Sequence, residues 1–257
     1  MRGAFVDNDH DNDHDDDDGI TRDTLLRGRV KLLQPRHGFR SSLDPILLAG
    51  FVEPPFGRFL DLGCATGALA FLLLAKDPAA AGVGVEIQPR LADLAVRGCA
   101  ANGFGSRFEV LKTDVRSPGL LPARGFDLIA SNPPFRPLGT GVLPPRSEKA
   151  VANHEVTLAL SEWLDIALGA LALGGRLAAI FPFDREKELR AGLQARGLFV
   201  CRSRAVVPEA GQPPKRILVE ARAEAPREQI EPPLVVHHNR SYTAEVRRML
   251  GEDSPNP

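Results

Sequence analysis

Cysteine is scarce in this chain of 257 residues, and long apolar runs are absent from it. The three cysteines, Cys64, Cys99 and Cys201, stand far apart and lack the C-x-x-C spacing of zinc sites and redox motifs. No apolar run is long enough to span a bilayer, and no basic-then-apolar leader is present, so we expect neither a membrane protein nor a secreted one. A cytoplasmic protein with reduced thiols is therefore the expectation.

A large excess of one sign of charge is also absent, because the formal net charge is −1. This balance conceals a division, since residues 1–18 contain eight aspartates and only Arg2. That segment sums to −7, so the remaining 239 residues carry about +6, which suits a phosphate-bearing partner. Like charges repel and cannot bury a core, so 1–19 is predicted to be a disordered acidic tail. His10 and His14 lie in it, but a solvated tail is favoured over a metal site.

Short apolar runs alternate with amphipathic segments from Arg58 onwards. Strands are predicted near 58–62, 82–87, 107–112, 126–131 and 175–181, and helices near 67–76, 89–101, 155–172 and 184–196. This alternation predicts parallel strands with helices on both faces of the sheet. Two more apolar runs, 198–207 and 215–222, are joined by a link rich in proline and glycine, which predicts an antiparallel hairpin at one edge. The predicted fold class is α/β, with a Rossmann-like sheet of seven mostly parallel strands.

Shorter elements flank the alternating region. A strand is predicted at 30–33, and Asp44 with Pro45 is expected to cap and start a helix that ends near Phe51. The chain is therefore divided into the tail at 1–19, an N-terminal extension of one strand and one helix at 20–57, the main domain at 58–223, and a C-terminal extension with a short strand and helix at 224–257.

A polar turn, Ser-Asn-Pro-Pro-Phe at 131–135, follows the fourth strand of the alternating region. Asn132 offers an amide oxygen to a planar NH2 group, and the carbonyl of Pro133 is a second acceptor with no N–H beside it. Phe135 can lie flat against the ring that carries the amine. The two acceptors stabilise the positive charge that develops on a reacting amine nitrogen, so no dedicated base is required. The alternative is an ordinary turn, because asparagine before proline often starts one.

A loop of small residues, 61–67, lies between a predicted strand and a predicted helix. Its glycine spacing does not match G-x-G-x-x-G, which argues against a dinucleotide pyrophosphate. The loop resembles motif I of class I methyltransferases, D-x-G-x-G-x-G, on Asp61, Gly63 and Gly67, with Ala65 in place of the middle glycine. The resemblance implies the class I methyltransferase fold and S-adenosyl-L-methionine as cofactor. We expect a right-handed backbone at Ala65, because its methyl group disfavours positive φ.

Acidic residues end the next two predicted strands. Glu86 follows Val-Gly-Val, where a carboxylate can accept hydrogen bonds from both hydroxyls of a ribose. Asp114, which precedes Val115, either accepts a hydrogen bond from the adenine amine of the cofactor or caps the following turn. The predicted cofactor-binding residues of these strand ends are Asp61, Gly63, Ala65, Gly67, Glu86, Asp114, Val115 and Asn132.

Motif I combined with Asn-Pro-Pro-Phe resembles the methyltransferases that act on adenine N6, guanine N2 or protein glutamine. The bacterial tRNA adenine-N6-methyltransferases that modify the anticodon-loop adenine of valine tRNA resemble this chain in three further segments: 34–49, 214–220 and 234–246. The resemblance covers roughly 28–250 and implies RNA, in particular tRNA, as partner. It also implies that Arg40, Ser42 and Asp44 border the methionine end of the cofactor. Phe135 departs from the tyrosine that is frequent in that family.

Basic residues beyond the Asn-Pro-Pro-Phe turn suit the binding of phosphates that flank an extruded base. The predicted RNA contacts are Arg136, Arg146, Lys149 and Arg240. For any single one of these residues, a position in an ordinary connecting loop or on a solvated helix face explains the basic side chain equally well. Three alternative functions stay open: guanine-N2 methylation of ribosomal RNA, methylation of protein glutamine, and a cofactor-binding RNA module without catalysis. The glutamine enzymes usually carry a longer helical domain ahead of the segment that starts at Gln34, which disfavours that alternative.

Overall fold

The structure, a computed structural model, describes residues 19–133, 158–224 and 227–252. In these ranges the strands are β1 Ile20–Leu25, β2 Val30–Pro35, β3 Arg58–Leu62, β4 Ala81–Glu86, β5 Phe108–Lys112, β6 Phe126–Ser131, β7 Leu171–Pro182, β8 Phe199–Glu209, β9 Arg216–Arg222, β10 Gln229–His238 and β11 Ser241–Tyr242. The helices are α1 Asp44–Phe51, α2 Ala68–Lys76, α3 Pro89–Ala101, α4 Leu160–Ala170, α5 Glu186–Gln194 and α6 Ala244–Met249, with a 3₁₀ turn at Phe183–Arg185. None of these helices is both long and apolar enough to cross a bilayer.

Some of the predicted features lie outside the described residues. They are the acidic tail at 1–18 and, in the segment 134–157, Phe135, Arg136, Arg146 and Lys149. Their predicted roles stay predictions.

Nine strands form one mixed sheet in the order β11-β10-β8-β9-β7-β6-β3-β4-β5. β7, β6, β3, β4 and β5 are parallel, and β9 is antiparallel to both β7 and β8. The predicted α/β class, with a mostly parallel sheet and an antiparallel hairpin, is confirmed. The chain leaves β3 towards β4 and β5, and it then returns to place β6 on the other side of β3. Open parallel sheets bind ligands in the crevice at such a reversal of strand order.

Helices cover both faces of the sheet because its central strands are apolar on both sides. In β3, the consecutive residues Phe59 and Leu60 are fully buried in two different cores. Successive side chains of a strand point to opposite faces, so Phe59 packs on the side of Phe71 from α2, and Leu60 on the side of Trp163 from α4. The two cores hold the carboxyl ends of β3, β4 and β6 in fixed relative positions.

Two strands beyond the expected seven extend the sheet on the outer side of β8. β10 pairs parallel with β8, and β11 pairs antiparallel with β10. The sequence indicates only a short strand here because Pro232 and Pro233 interrupt the apolar run. The pairing register shifts between Glu231 and Leu234, so a local irregularity accommodates the two prolines and the strand continues on both sides of them.

The N-terminal extension contains two strands rather than the one predicted, and they form a separate antiparallel hairpin. The pattern of apolar residues does not predict β1, because the charged residue Asp23 occupies one of its inward-facing positions, at 3% exposure. Asn102, at the end of α3, joins β2 to the main domain. Its amide nitrogen donates to the carbonyl of Lys31 at 2.7 Å, and its Oδ1 accepts from the backbone N–H of Lys31 at 2.7 Å.

The prediction that Asp44 caps α1 is wrong. The N-cap residue is Leu43, which offers no side-chain acceptor, and Asp44 is the first helical residue. The Asp44 carboxylate accepts instead from the guanidinium of Arg216 in β9 at 3.1 Å, and the two residues form an ion pair. The hydroxyl of Ser42 accepts from the Asp44 N–H at 3.3 Å, which closes the turn that precedes the helix.

Candidate active site

A cavity of about 270 Å³ opens at the carboxyl ends of β3, β4, β5 and β6, where the strand order reverses. This volume is near the lower end of the range for small-molecule sites, about 300–1,000 Å³. The predicted residues that line it are Asp61, Gly63, Ala65, Glu86, Asp114, Val115, Asn132 and Pro133. Lining residues that were not among the predicted site residues include Phe39, Ser41, Thr66, Gln88, Thr113 and Trp163. One cavity thus brings together the motif I loop and the Asn-Pro turn.

The loop between β3 and α2 turns its backbone towards the cavity. The N–H groups of Gly63 and Cys64 both donate to the carbonyl of Val85, at 2.9 and 3.0 Å, which fixes the loop to the end of β4. Gly63 has a φ of +79°, and a methyl group added there would meet no protein atom within 4 Å. A methyl group added at Gly67, which has a φ of +88°, would lie 2.5 Å from the ring of Phe71. Gly63 therefore leaves space in the cavity, whereas packing requires Gly67, which does not line it.

The prediction of a right-handed backbone at Ala65 is wrong, because its φ is +49°. The Ala65 N–H donates to Glu86 Oε2 at 2.9 Å, and this bond holds the residue in the left-handed region. That region costs a residue with a Cβ atom about 1–2 kcal/mol. The loop therefore adopts at Ala65 a conformation that glycine would adopt without strain.

Glu86 is a buried carboxylate held by two backbone N–H groups. Oε2 accepts from Ala65, and Oε1 accepts from Gln88 at 2.8 Å. Burial raises the pKa of Glu86, although these hydrogen bonds act in the opposite direction. Each carboxylate oxygen has a further lone pair, so the side chain keeps acceptor capacity towards the cavity. This geometry is compatible with the predicted hydrogen bonds from two ribose hydroxyls.

Asp61 is the most deeply buried acid on the cavity wall, at 2% exposure. It pairs in register with Ala130 of β6, two residues before Asn132. Its Oδ2 has no hydrogen-bond partner among the residues that the structure describes. Burial, with a further contribution from the Glu86 carboxylate, raises the pKa of Asp61 to about 8. A buried acceptor without a partner is typical of a site that a ligand completes, and a cation at this position would favour the charged form.

Asp114 follows β5 and is held by Arg116. Its carboxylate accepts from the Arg116 guanidinium at 2.6 to 3.0 Å and from the Arg116 backbone N–H at 2.9 Å. The hydrogen bonds from Arg116 lower the pKa of Asp114. The turn-capping alternative is thus observed. Asp114 also lines the cavity, and its bond to an adenine amine stays a prediction.

Asn132 and Pro133 follow β6 and lie on the same cavity as the motif I loop. Ser131 positions them, because its buried hydroxyl donates at 2.7 Å to the carbonyl of Leu62 at the end of β3. Asn132 is half-buried, and its side chain forms no hydrogen bond within the described part of the chain. Its amide is therefore available to a ligand in the cavity.

The segment before α1 contributes to the cavity through Phe39, Ser41 and Pro45. Arg40, Ser42 and Asp44 do not line the cavity in this structure. Arg40 donates to the buried Asp23 carboxylate at 2.7 Å. A position of these three residues at the methionine end of a cofactor stays a prediction.

Gln34 connects this segment to the N-terminal hairpin. Its side chain is fully buried, its Nε2 donates to Asp23 Oδ2 at 2.7 Å, and its Oε1 accepts from the backbone N–H of Ser41 at 2.6 Å. The sequence marks Gln34 only as the start of a resembling segment. Its role is recognised only when β1, with Asp23, is paired beside β2.

Trp163 has a second role beyond the one its spacing predicts. Its recurrence with Leu160 and Leu164 at helical spacing predicts a core position, and its exposure of 1% confirms that prediction. The same indole also lines the cavity beside Leu158. The wall of the site on the α4 side is therefore apolar.

Comparison with known proteins assigns the family. Residues 43–173, half of the chain, match the methyltransferase small domain family. The chain belongs to this family.

Relatives of this methyltransferase cover most of its length. A tRNA1(Val) (adenine(37)-N6)-methyltransferase of Porphyromonas gingivalis is 36% identical over 191 residues, which are 71% of this chain and 74% of the relative. A protein of the same name from Bacteroides fragilis is 30% identical over 178 residues, which are 68% of this chain and 74% of the relative. The crystal structure of a predicted O-methyltransferase from Agrobacterium tumefaciens matches with a TM-score of 0.62 and 25% identity, over 80% of this chain and 94% of that one.

The residues that line the cavity of the methyltransferase match the chemical groups of S-adenosylmethionine. Asp61 Oδ2 suits a cationic group, the spare lone pairs of Glu86 suit ribose hydroxyls, and Gly63 leaves the backbone accessible. Leu91 and Val115 add apolar surface on which an adenine ring can pack. When bound, S-adenosylmethionine supplies a methyl group that its positively charged sulfur makes electrophilic.

Proposed function

We propose that this chain is an S-adenosylmethionine-dependent methyltransferase that methylates the exocyclic N6 amine of an adenine in tRNA. The observation that carries the proposal is the position of Asn132 and Pro133 on the same cavity as Asp61, Gly63 and Glu86. Relatives that bear the name of a tRNA adenine-N6-methyltransferase, one of them 36% identical, support the same substrate. A tRNA substrate supports the further proposal that the enzyme acts in the cytoplasm.

The chemistry of the acceptor pair favours an amine over a hydroxyl. An NH2 group has two hydrogens and satisfies both the Asn132 amide oxygen and the Pro133 carbonyl, whereas a hydroxyl satisfies only one of them. The two acceptors also stabilise the positive charge that grows on the nitrogen as its bond to carbon forms. The proton then leaves to water from a nitrogen that has become acidic, so the site needs no base of its own. The acceptor pair therefore favours N-methylation, although a structurally similar protein is named an O-methyltransferase.

The position in the tRNA is proposed from the relatives, whose names specify adenine 37 of tRNA1(Val). An adenine paired or stacked in RNA cannot reach a cavity at the edge of the sheet, so we expect the base to be extruded from its stack. A loop adenine costs less to extrude than a paired one, because no base pair is broken.

The test is methyl transfer from labelled S-adenosylmethionine to an unmodified transcript of this valine tRNA, followed by digestion and mass analysis of nucleosides. We expect N6-methyladenosine in the wild-type transcript and no label in a matched transcript with guanine at position 37. Label on guanine N2, or label only on protein when a cell extract is supplied, would overturn the assignment. Cofactor binding without transfer to any substrate would indicate a module that lacks catalysis.

A further inference from the structure

The turn between β10 and β11 lies at the same edge of the sheet as the candidate active site. β10 and β8 run in the same direction as β6, so His238 at the end of β10 and Asn132 after β6 share the carboxyl edge. Four inter-strand steps separate β10 from β6, roughly 19 Å across the strands, and the pairing register places His238 about 20 Å beyond Asn132 along them. One strand of stacked nucleotides rises about 3.4 Å per nucleotide, so a run of about eight nucleotides spans the combined separation of about 28 Å.

The backbone of this turn is strained. His238 pairs with Ser241, and the two residues between them, Asn239 and Arg240, have φ of +50° and +65°. Such a turn prefers asparagine followed by glycine, and a non-glycine residue held in the left-handed region often marks a functional position. In the other hairpin, the left-handed Arg27 uses its guanidinium to donate to the carbonyl of Glu252. The guanidinium of Arg240 has no such partner among the described residues.

Basic side chains lie on the turn and, at Lys215, before β9 at the same edge of the sheet. Arg240, His238 and Lys215 are all exposed, and their side chains form no ion pair within the described ranges. Two acids lie near the turn: one Glu209 oxygen accepts from the backbone N–H of Arg240 at 3.4 Å, and Glu252 acts on Tyr242. Neither acid forms an ion pair with the Arg240 guanidinium within the described residues.

Two aromatic rings hold the turn in place. His237 and Tyr242 stack with ring centroids 4.8 Å apart and an interplanar angle of 24°. The His237 Nδ1 is hydrogen bonded to the carbonyl of Pro208 at 3.0 Å, which connects the turn to the end of β8. The backbone that carries Arg240 is thus rigid, so little backbone ordering is needed when the residue contacts a ligand.

We propose that the β10–β11 turn, with Arg240, His238 and Lys215, is a second RNA contact that binds the phosphate backbone of the substrate several nucleotides from the extruded base. This proposal rests on the proposed function. Phosphate contacts of this kind set the register and orientation of the RNA without reading its sequence. They also make affinity depend on salt.

The test compares Arg240→Gly with Arg124→Gly in binding of the unmodified valine tRNA transcript by the full chain. Arg124 is a matched control, because it is an exposed arginine with a φ of +53° before β6, at the opposite edge of the sheet. Both substitutions remove one positive charge and one left-handed residue with a Cβ atom. We expect Arg240→Gly to weaken binding roughly three- to tenfold and to reduce the slope of log Kd against log salt by about 0.7–1. Arg124→Gly should leave both quantities unchanged.

Two further measurements separate RNA contact from a structural role. Arg240→Gly should melt at the same temperature as wild type or higher, because glycine relieves the turn, and Arg240→Lys should keep most of the affinity. Equal binding by Arg240→Gly and wild type would overturn the proposal. So would a loss of affinity accompanied by a lower melting temperature in both Arg240 variants. If wild type neither binds nor methylates the transcript, the proposed function fails; binding and methylation that are insensitive to Arg240 refute the second contact alone.

Discussion

The backbone N–H of Ala65 donates a 2.9 Å hydrogen bond to Glu86 Oε2, and this bond joins the motif I loop after β3 to the end of β4. It fixes a left-handed residue in the loop and orients a carboxylate towards the cavity. The same carboxylate accepts from Gln88 at the start of α3. A cofactor site is therefore preorganised by main-chain contacts, with little left for the ligand to order.

Replacement of Ala65 tests the cost of that geometry. Ala65→Gly should raise the free energy of unfolding by up to about 1 kcal/mol, because relief of left-handed strain exceeds the added entropy of the unfolded chain. Ala65→Val should lower it, since a β-branched residue tolerates positive φ poorly. Ala75→Gly, on the exposed side of α2, is the control and should lose about 1 kcal/mol. Thermal or denaturant unfolding measures all three, and a destabilised Ala65→Gly protein would contradict the account.

The ionisation of Asp61 should make cofactor binding depend on pH. Its raised pKa means that the folded apo-protein keeps a proton that the unfolded chain loses near pH 4, so this group makes the apo-protein less stable as pH rises from about 4 to 8. A cationic ligand prefers the carboxylate, so affinity should fall as pH drops from 8 to 6, by at most about tenfold per pH unit. Titration calorimetry with S-adenosylmethionine should show this trend for wild type.

Asp61→Asn is the control for the pH dependence. The amide cannot titrate, so affinity should be weaker than that of wild type at pH 8 and nearly flat from pH 8 to 6. An equally steep pH dependence in the amide variant would show that another group, such as Glu86 or the ligand itself, carries it.

Gln34 should affect cofactor affinity through Ser41. Gln34→Leu removes the acceptor of the Ser41 N–H, and a polar group left without a partner costs about 1–3 kcal/mol when it is buried. Asp23 loses the Gln34 donor but keeps its bond from Arg40. Because Ser41 and Phe39 line the cavity, we expect a higher Kd for S-adenosylmethionine, with a smaller change in kcat at saturating cofactor. Gln194→Leu, on the exposed side of α5, should change neither quantity. A change in kcat alone would contradict this role.

Much of the fold is predictable because the central strands are short apolar runs with polar or small-residue ends. β3 at Arg58–Leu62 and β6 at Phe126–Ser131 have the predicted bounds, and the carboxyl ends of parallel strands meet at one edge. Asp61, Glu86 and Asn132 could therefore be placed on one cavity in advance. The sequence pattern does not predict β1, because its buried Asp23 is a signal against a strand. It does not predict the full length of β10, because two prolines there lack the N–H groups of a regular strand.

The sequence does not predict the backbone conformation of single residues or the contacts between segments that are far apart in the chain. The left-handed Ala65 depends on the hydrogen bond that its N–H donates to a residue 21 positions away, and propensity alone predicts the opposite conformation. Arg40 binds Asp23 in a strand that the pattern does not reveal, so its carboxylate partner could not be anticipated. Trp163 serves both a core and a cavity wall, and helical spacing indicates only the first of these.

We infer that Asn132 acts on the amine during transfer and not in cofactor binding. The most direct measurement is the single-turnover rate of Asn132→Ala on the valine tRNA transcript, together with its Kd for S-adenosylmethionine. We expect a rate lower by at least about 100-fold, as when one preorganised charge-stabilising group is lost, with the Kd for the cofactor nearly unchanged. A rate within a fewfold of wild type would contradict this inference.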